Sequence, residues 1–179
     1  PPYSGISQNM GDFIVNLIED YKYVDGKHFG ERKHWLQDDY VKFIRLSEGL
    51  IEKNGEGVLG FISNHGYLDN PTFRGMRWHL MQTFEKIYVL DLHGNANKKE
   101  LTPDGKPDKN VFDIRQGVSI IIAVKAGPKK KSKMPAQVFH SEIWGTRQQK
   151  YEKLWDDQYG WRSFSELSPS EPCYMFTAS

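Results

Sequence analysis

Apolar residues recur at helical spacing in several segments of the chain, and polar or glycine-bearing residues bound each segment. This pattern predicts helices over residues 11–23, 37–53 and 146–155. Another helix is predicted to start at Asn70-Pro71, where a capping residue precedes a proline in the first turn. The spacing therefore predicts four helices, three of them before residue 85.

Four short, largely apolar runs predict strands over residues 58–62, 86–92, 117–124 and 137–144. Runs of this length between glycines are typical of buried strands, and we expect the last of them to be antiparallel. Strands that alternate with helices imply parallel crossovers, so the predicted fold class is α/β. Residues 93–116 form a long polar loop, and loops of that length often carry function.

Composition narrows the class of protein. The chain has 179 residues, of which 38% are hydrophobic and 26% charged, so we expect a folded domain. No apolar run approaches the ~18 residues that span a bilayer, so we expect no membrane partner. The single cysteine, Cys173, excludes an internal disulfide and fits a reducing compartment. With one cysteine and six scattered histidines, we predict no thiolate-rich zinc site and assign no metal ligand.

The net charge of +1 conceals an uneven distribution. Residues 96–135 hold ten Lys/Arg and four Asp/Glu, a local charge of +6, which leaves −5 for the rest. The densest part is a segment between Pro128 and Pro135 that contains Lys129, Lys130, Lys131 and Lys133. These lysines could bind the phosphates of a polyanion. Taken alone, a lysine cluster of this kind is more often a solvated loop that keeps the protein soluble.

Two patterns resemble known motifs without their structural context. The segment GEGVLG at residues 55–60 follows a predicted helix and precedes a strand, whereas the dinucleotide fingerprint requires the reverse order. We interpret it as a turn that enters a strand. Among the histidines, only His65 directly follows a buried strand, where ligand sites of α/β proteins lie. His28, His34, His79, His93 and His140 are interpreted as surface or structural residues.

The first residues, Pro1, Pro2 and Tyr3, resemble the end of the Asn-Pro-Pro-Tyr motif of DNA amino-methyltransferases. The amino nitrogen of adenine is a poor nucleophile because its lone pair is delocalised into the ring. Acceptors that bind both amino hydrogens aim the lone pair at the methyl donor, and proline holds their turn rigid. A tyrosine ring stacks on an extruded base. A proline-rich ligand or a simple terminus would show the same three residues.

Three longer segments resemble successive blocks of adenine-specific DNA methyltransferases. They are DDYVKFIRLSEGLIEKNGEGVLGFIS, the stretch FISNHGYLDNPTFRGMRWHLMQTFEKIYVLDLHGN, and VFDIRQGVSIIIAVK. The order is that of large enzymes that carry methylase and restriction functions on one polypeptide, and the resemblance covers about residues 1–145. It implies that residues 1–155 are the carboxyl-terminal half of a methyltransferase domain and that residues 156–179 are a tail or the start of a following region. The implied fold is a partial doubly wound, Rossmann-like sheet, mostly parallel with an antiparallel strand near the end.

The resemblance assigns roles residue by residue. Pro1, Pro2 and Tyr3 match the catalytic motif, and Tyr3 would stack on the target base. Ser63 and Asn64, with His65 beside them, match the strand end near that base. Phe112 matches a loop position whose aromatic ring packs against the base, although it could instead anchor a long loop. The lysines at 129–131 and 133 would contact DNA phosphate.

The resemblance also implies S-adenosylmethionine as methyl donor, double-stranded DNA and the amino-terminal half of the domain as partners, and a prokaryotic cytoplasmic location. The catalytic Asn and the glycine-rich donor loop are absent from this sequence. We therefore expect this segment alone to bind the donor poorly and to be inactive. The alternatives are a non-catalytic nucleic-acid-binding or assembly module with a methyltransferase-like fold, and methylation of RNA or protein by the same motif chemistry.

Overall fold

The computed structural model describes residues 4–8, 10–128 and 134–178. Its helices are α1 (Asp12–Glu19), α2 (Asp39–Asn54), α3 (Arg74–Thr83) and α4 (Arg147–Trp155). Its strands are β1 (Tyr23–Val24), β2 (Lys27–His28), β3 (Gly57–Asn64), β4 (Lys86–His93), β5 (Val118–Lys125), β6 (Gln137–Glu142) and β7 (Ser165–Leu167). The four predicted helices and four predicted strands are confirmed. The β1–β2 hairpin and β7 have no counterpart in the prediction because they are only two or three residues long.

Local signals explain where the helices begin and end. Asp38 caps α2 by accepting a hydrogen bond from the Tyr40 amide, and Gly55 ends it in the left-handed conformation. β3 begins two residues later, which confirms that GEGVLG is a turn entering a strand. Asn70 caps the single 3-10 turn that precedes α3. Thr146 and Gln149 form a reciprocal capping box at α4.

The main sheet has five strands in the order β3-β5-β4-β6-β7. β5 pairs antiparallel with both β3 and β4, β6 pairs antiparallel with β7, and β4 and β6 are the one parallel pair of this sheet among the described residues. The α/β class is confirmed, but the expectation of a mostly parallel sheet is wrong for the strand pairs described. Residues 137–144, which were expected to form an antiparallel strand, contain β6, which runs parallel to β4 on one side and antiparallel to β7 on the other.

The connections explain these directions. β3 and β4 run the same way because α3 carries the chain back between them, as parallel strands require. The segment from β4 to β5 contains no helix, so the chain returns directly and β5 enters antiparallel between them. The strand order therefore depends on where β5 inserts into the sheet after the long loop. Hydrophobic periodicity along the sequence does not indicate that position.

The larger apolar core lies between the sheet and helices α1, α2 and α3. Fully buried members include Ile18, Ile44, Leu80, Ile121 and Phe176. Phe176 joins this core because the buried Arg77 guanidinium donates hydrogen bonds to the carbonyl oxygen of Cys173, three residues before it. A smaller core of Leu90, Leu92, Val111, Val118 and Ile143 supports the long loop. Among the described residues, no helix is both long and apolar enough to cross a membrane.

Candidate functional site at the carboxyl edge of the sheet

One edge of the sheet collects most of the polar groups that could carry chemistry. β3 ends at Asn64, β4 at His93 and β6 at Glu142, while the antiparallel β5 begins there at Val118. Residues 94–117 cross the same edge as one long loop. We call this end of the sheet the carboxyl edge, and it is where ligands bind in open α/β sheets.

His65 lies directly after β3 and bridges strand and loop. Its Nδ1 is 3.0 Å from Asp91 Oδ1 on β4, and its Nε2 is 3.0 Å from Asn95 Nδ2. The Asn95 oxygen accepts hydrogen bonds from the amides of Asn97 and Lys98, so the Asn95 nitrogen faces the ring. His65 Nε2 therefore accepts from Asn95, and the Nδ1 proton is donated to Asp91.

His93 is the second histidine of the edge, and it is held by carboxylates on both nitrogens. Its Nε2 is 3.0 Å from Glu142 Oε2, and its Nδ1 is 3.5 Å from Glu100 Oε1 and 3.6 Å from Asp91 Oδ2. The ring stacks on Trp144 with centroids 3.4 Å apart. The backbone has a φ of 50° after a register shift in β4, which aims this side chain at the carboxyl edge.

The carboxylates and His93 support each other's charged forms. Burial favours the neutral form of Asp91, but the hydrogen bond from His65 and the positive charge of His93 lower the pKa of Asp91 below its ordinary value. Burial works against the charged ring of His93, yet Glu100, Asp91 and Glu142 raise its pKa. Burial opposes ionisation of Glu100, while hydrogen bonds from His93 and the Asn95 amide lower its pKa. The cluster is thus organised around charged carboxylates.

A cavity of about 220 Å³ opens beside these histidines. We call it the histidine cavity, and its lining includes His65, Asp69, Asp91, His93, Lys98, Glu100, His140 and Glu142. Burial lowers the pKa of His140, so that ring favours its neutral form. The four carboxylates outnumber the one lysine, so the cavity favours a cationic ligand.

Phe112 lies on the crossing loop, beside a separate, more open hollow. This loop hollow has a volume of about 510 Å³, and its lining includes Gly94, Asn110, Phe112, Arg115 and Arg147. Phe112 is 44% exposed and so does not act as a buried anchor. Asn110 holds its turn, since the Asn110 amide nitrogen donates to the carbonyls of Gly94 and Gln116 and its oxygen accepts from the Phe112 amide.

The remaining residues predicted from the sequence fall into two groups. Ser63 is buried at the end of β3, and the Asn64 side chain accepts a hydrogen bond from the Gly66 amide. Both lie at the carboxyl edge with His65. Pro1, Pro2 and Tyr3, and the four lysines at 129, 130, 131 and 133, lie outside the described residues. The residues that flank those lysines connect the end of β5 to the start of β6, at the opposite edge of the sheet.

Asp91, His93, Glu100 and Asn110 were missed as site residues. The segment DLHGN ends a predicted strand just as SNHG does, and that position was the available signal. The interpretation of His93 as a surface or structural histidine is incomplete, because the residue is only 7% exposed and its ring faces that of His65 edge-on, with centroids 6.2 Å apart. β3 and β4 run in the same direction, so their ends lie at the same edge of the sheet, although 28 positions separate the two histidines in the sequence.

No protein-family model and no curated protein matches this sequence. Solved structures do match. One is described as the ATP-dependent Type ISP restriction-modification enzyme LlaBIII bound to DNA, with 27% identity over 95% of this chain and a TM-score of 0.75. A DrdV–DNA complex matches 79% of the chain with 25% identity and a TM-score of 0.65.

The chain therefore resembles part of a Type ISP restriction-modification enzyme. A nuclease-deletion mutant of the Type ISP enzyme LlaGI, in complex with a DNA substrate mimic, supports the same fold with 22% identity over 95% of this chain and a TM-score of 0.74. The chain spans only 12% of LlaBIII, 14% of the DrdV chain and 17% of LlaGI. The similarity thus concerns one small part of a much larger polypeptide.

Proposed function

We propose that this chain is the carboxyl-terminal half of a DNA methyltransferase domain in a restriction-modification enzyme. The domain transfers a methyl group from S-adenosylmethionine to the exocyclic amino group of adenine. The observation that carries this proposal is Phe112, an exposed aromatic ring beside the loop hollow at the carboxyl edge. It lies in a fold that matches a segment of a DNA-bound restriction-modification enzyme.

Extrusion of a base from duplex DNA explains why an exposed ring belongs at this edge. An enzyme that modifies adenine takes the base out of the helix and compensates the lost stacking with an aromatic side chain. The hydrogen bonds of Asn110 hold the Phe112 turn before DNA binds, which lowers the entropic cost of stacking. Tyr3 is proposed to contact the other face of the base, with Pro1 and Pro2 fixing its turn.

In the part of the chain that the structure describes, the outer strand of the sheet is open on one side, as expected of a partial methyltransferase domain. Within the described residues, β3 pairs with β5 on one side only. Its Val58 side chain is 65% exposed, and Leu50 on the adjacent α2 is 61% exposed. We propose that the amino-terminal half of the domain packs along the unpaired side of β3.

The methyl donor fits this chain poorly by itself. The glycine segment at 55–60 is a helix-to-strand turn and does not form the strand-to-helix loop that binds such cofactors. S-adenosylmethionine supplies the methyl group in the proposed reaction, and we assign its binding mainly to the amino-terminal half. The described residues are proposed to position the base and the DNA.

Cations at two places are proposed to contact DNA phosphate. Arg115 and Arg147 line the loop hollow and lie beside the proposed base site. β5 ends and β6 begins at the opposite edge, before and after the lysines in the sequence, and the eight residues of β4 span roughly 26 Å. We therefore propose that the lysines contact phosphate away from the target base, where they add affinity without sequence specificity.

The test uses the complete polypeptide encoded by the gene, with a duplex that carries 2-aminopurine at the methylated adenine. Wild-type protein should increase the fluorescence of the extruded base and transfer labelled methyl to adenine. Phe112→Ala should weaken both, by roughly 5- to 150-fold if stacking contributes about 1–3 kcal/mol, and Phe112→Trp should restore them. Trp155→Ala is the control, because Trp155 is an exposed α4 residue outside the loop hollow.

Two results would contradict the proposal. Methyl transfer by Phe112→Ala at the wild-type rate would remove Phe112 from the base site. Nucleoside analysis that finds no methylated adenine in DNA would overturn the reaction itself. DNA binding without any methyl transfer would favour the alternative of a non-catalytic nucleic-acid-binding module.

A further inference from the structure

We propose that His65, His93 and Glu100 form a binding site for one divalent transition-metal ion such as Zn²⁺. One ring nitrogen of each histidine and one oxygen of Glu100 lie within 4.8 Å of one another. A tetrahedral Zn²⁺ with bonds of about 2.0–2.1 Å holds its ligands roughly 3.3 Å apart. The His93–Glu100 pair, at 3.5 Å, is already close to that separation. This proposal concerns ion binding and does not depend on the proposed methyltransferase function.

The outer contacts of both histidines are those of metal ligands. A metal-binding histidine typically holds a carboxylate or carbonyl on its second nitrogen, which fixes the ring orientation. His65 has Asp91 on Nδ1 at 3.0 Å, and His93 has Glu142 on Nε2 at 3.0 Å. The other nitrogen of His93, Nδ1, faces Glu100 at 3.5 Å, and the other nitrogen of His65, Nε2, contacts Asn95 Nδ2 at 3.0 Å. Each of the two histidines is thus oriented by its own carboxylate, which is the arrangement expected of metal ligands.

His65 can bind a metal ion through Nε2 without first losing a proton. Its Nε2 accepts a hydrogen bond from Asn95, so the ring already has a lone pair there. An ion that binds this lone pair replaces the hydrogen bond from Asn95 Nδ2. Glu100 Oε2, the carboxylate oxygen that does not face His93, accepts a hydrogen bond from the backbone N–H of Asn95 at 2.8 Å. This hydrogen bond keeps the carboxylate oriented.

Charge and ligand type select the kind of ion. The histidine cavity contains four carboxylates, and Lys98 is already paired with Asp69 at 3.3 Å. The electrostatic potential therefore favours a cation. Imidazole nitrogens favour Zn²⁺ and related first-row ions, whereas Mg²⁺ and Ca²⁺ prefer oxygen ligands. A bound ion would join the ends of β3 and β4 to the crossing loop, and so restrict the loop that carries Phe112.

A second cluster in the chain provides an internal comparison. Glu48, Glu52 and His79 also lie close enough together for an ion. Arg45 is 3.6 Å from Glu48 and 3.7 Å from Glu52, so its guanidinium already supplies a positive charge there. We expect no transition-metal binding at this second cluster, which makes His79 a suitable position for a control variant.

The test is a Zn²⁺ titration of the full 179-residue chain by calorimetry after removal of adventitious metal, repeated with Co²⁺ to record its visible absorption bands. We expect one ion per chain with a Kd of about 1 μM or below. His93→Gln and Glu100→Gln should each weaken binding more than 100-fold. Glu142→Gln, which removes an outer contact, should weaken it about 10- to 100-fold. His79→Gln and the exposed His34→Gln should bind as the wild type does.

Circular dichroism identifies any variant that fails to fold. Glu100 lies on a loop outside both apolar cores, so Glu100→Gln serves if His93→Gln unfolds. The absence of saturable Zn²⁺ binding by folded wild-type chain would overturn the proposal. So would binding that persists in Glu100→Gln, or binding that is lost in His79→Gln. Methyl-transfer activity plays no part in these readouts, so this test can fail independently of the proposed function.

Discussion

The ammonium of Lys150 lies 2.8 Å from the carboxylate of Asp108, and neither side chain is exposed to solvent. Lys150 also donates to the carbonyls of Leu92 and Lys109, while Asp108 accepts from the amides of Gly94 and Gly145. The pair therefore joins α4, the end of β4 and the crossing loop at one point. Because each partner has further hydrogen bonds, the cost of burying both charges is largely offset.

The first prediction concerns this pair. Lys150→Met leaves Asp108 buried without its cation, so we expect the free energy of unfolding to fall by about 3–5 kcal/mol. Urea denaturation followed by circular dichroism measures the change. Lys153→Met, on the exposed side of the same helix, should change the free energy of unfolding by less than about 0.5 kcal/mol. Equal effects of the two substitutions would show that the pair does not stabilise the loop.

The second prediction concerns the close approach of His65 to Gly117. A Cβ atom at Gly117 would lie 2.2 Å from His65 Nε2, so the ring must move. Gly117→Ala should lower the free energy of unfolding by about 1–3 kcal/mol and separate His65 from Asp91. Gly60→Ala is the matched control, since Gly60 lies on β3 and its Cβ would meet nothing within 4 Å. Urea denaturation measures both variants. Equal stability of Gly117→Ala and Gly60→Ala would contradict a close contact between Gly117 and His65.

The third prediction is a pH dependence of stability in the presence of a metal chelator. The pKa of His93 is raised, so its contribution is complete below the unfolded pKa of about 6.5 and is lost as the pH rises through the folded pKa. The pKa values of Asp91 and Glu100 are lowered, so their contributions are present above about pH 4 and are lost in acid. The cluster should therefore stabilise the protein most between about pH 4.5 and 6.5.

Thermal denaturation of His93→Gln and wild-type protein at about pH 6 and about pH 9 tests this dependence. The difference in melting temperature between the two proteins should be larger at the lower pH. His79 has a raised pKa of the same sign, because its hydrogen bond to Glu48 outweighs burial. The same comparison in a His79→Gln background therefore removes its contribution. A difference that grows with pH would mean that the ring of His93 is neutral in the folded protein.

The fourth prediction separates the two groups of cations proposed to contact DNA. In the complete polypeptide, Arg115→Gln should reduce the salt-dependence slope of DNA binding by about 0.9 and weaken base extrusion. Replacing Lys129, Lys130, Lys131 and Lys133 by Gln should weaken binding uniformly across sequences, with the fluorescence change at the target base retained. The measurement is DNA affinity as a function of salt concentration. Loss of extrusion in the lysine variant would place that loop near the base, contrary to the strand directions.

Much of the local structure was predictable because its causes are local. The cap at Asn70, the left-handed end of α2 at Gly55 and the apolar runs of β4 and β5 each act within a few residues. The position of His65 at a strand end followed from the same reasoning. The pairing of β6 with β4 did not, because hydrogen bonds between strands join residues about 50 positions apart.

The α/β class and the approximate positions of the main helices and strands could be predicted from the sequence, since helix capping and apolar periodicity are properties of neighbouring residues. The tertiary structure was needed to show that His93 and Glu100 lie beside His65, and that β5 ends and β6 begins at the opposite edge from Phe112. The reason is physical: strand order and direction determine which segment ends share an edge, and these depend on contacts between residues far apart in the chain.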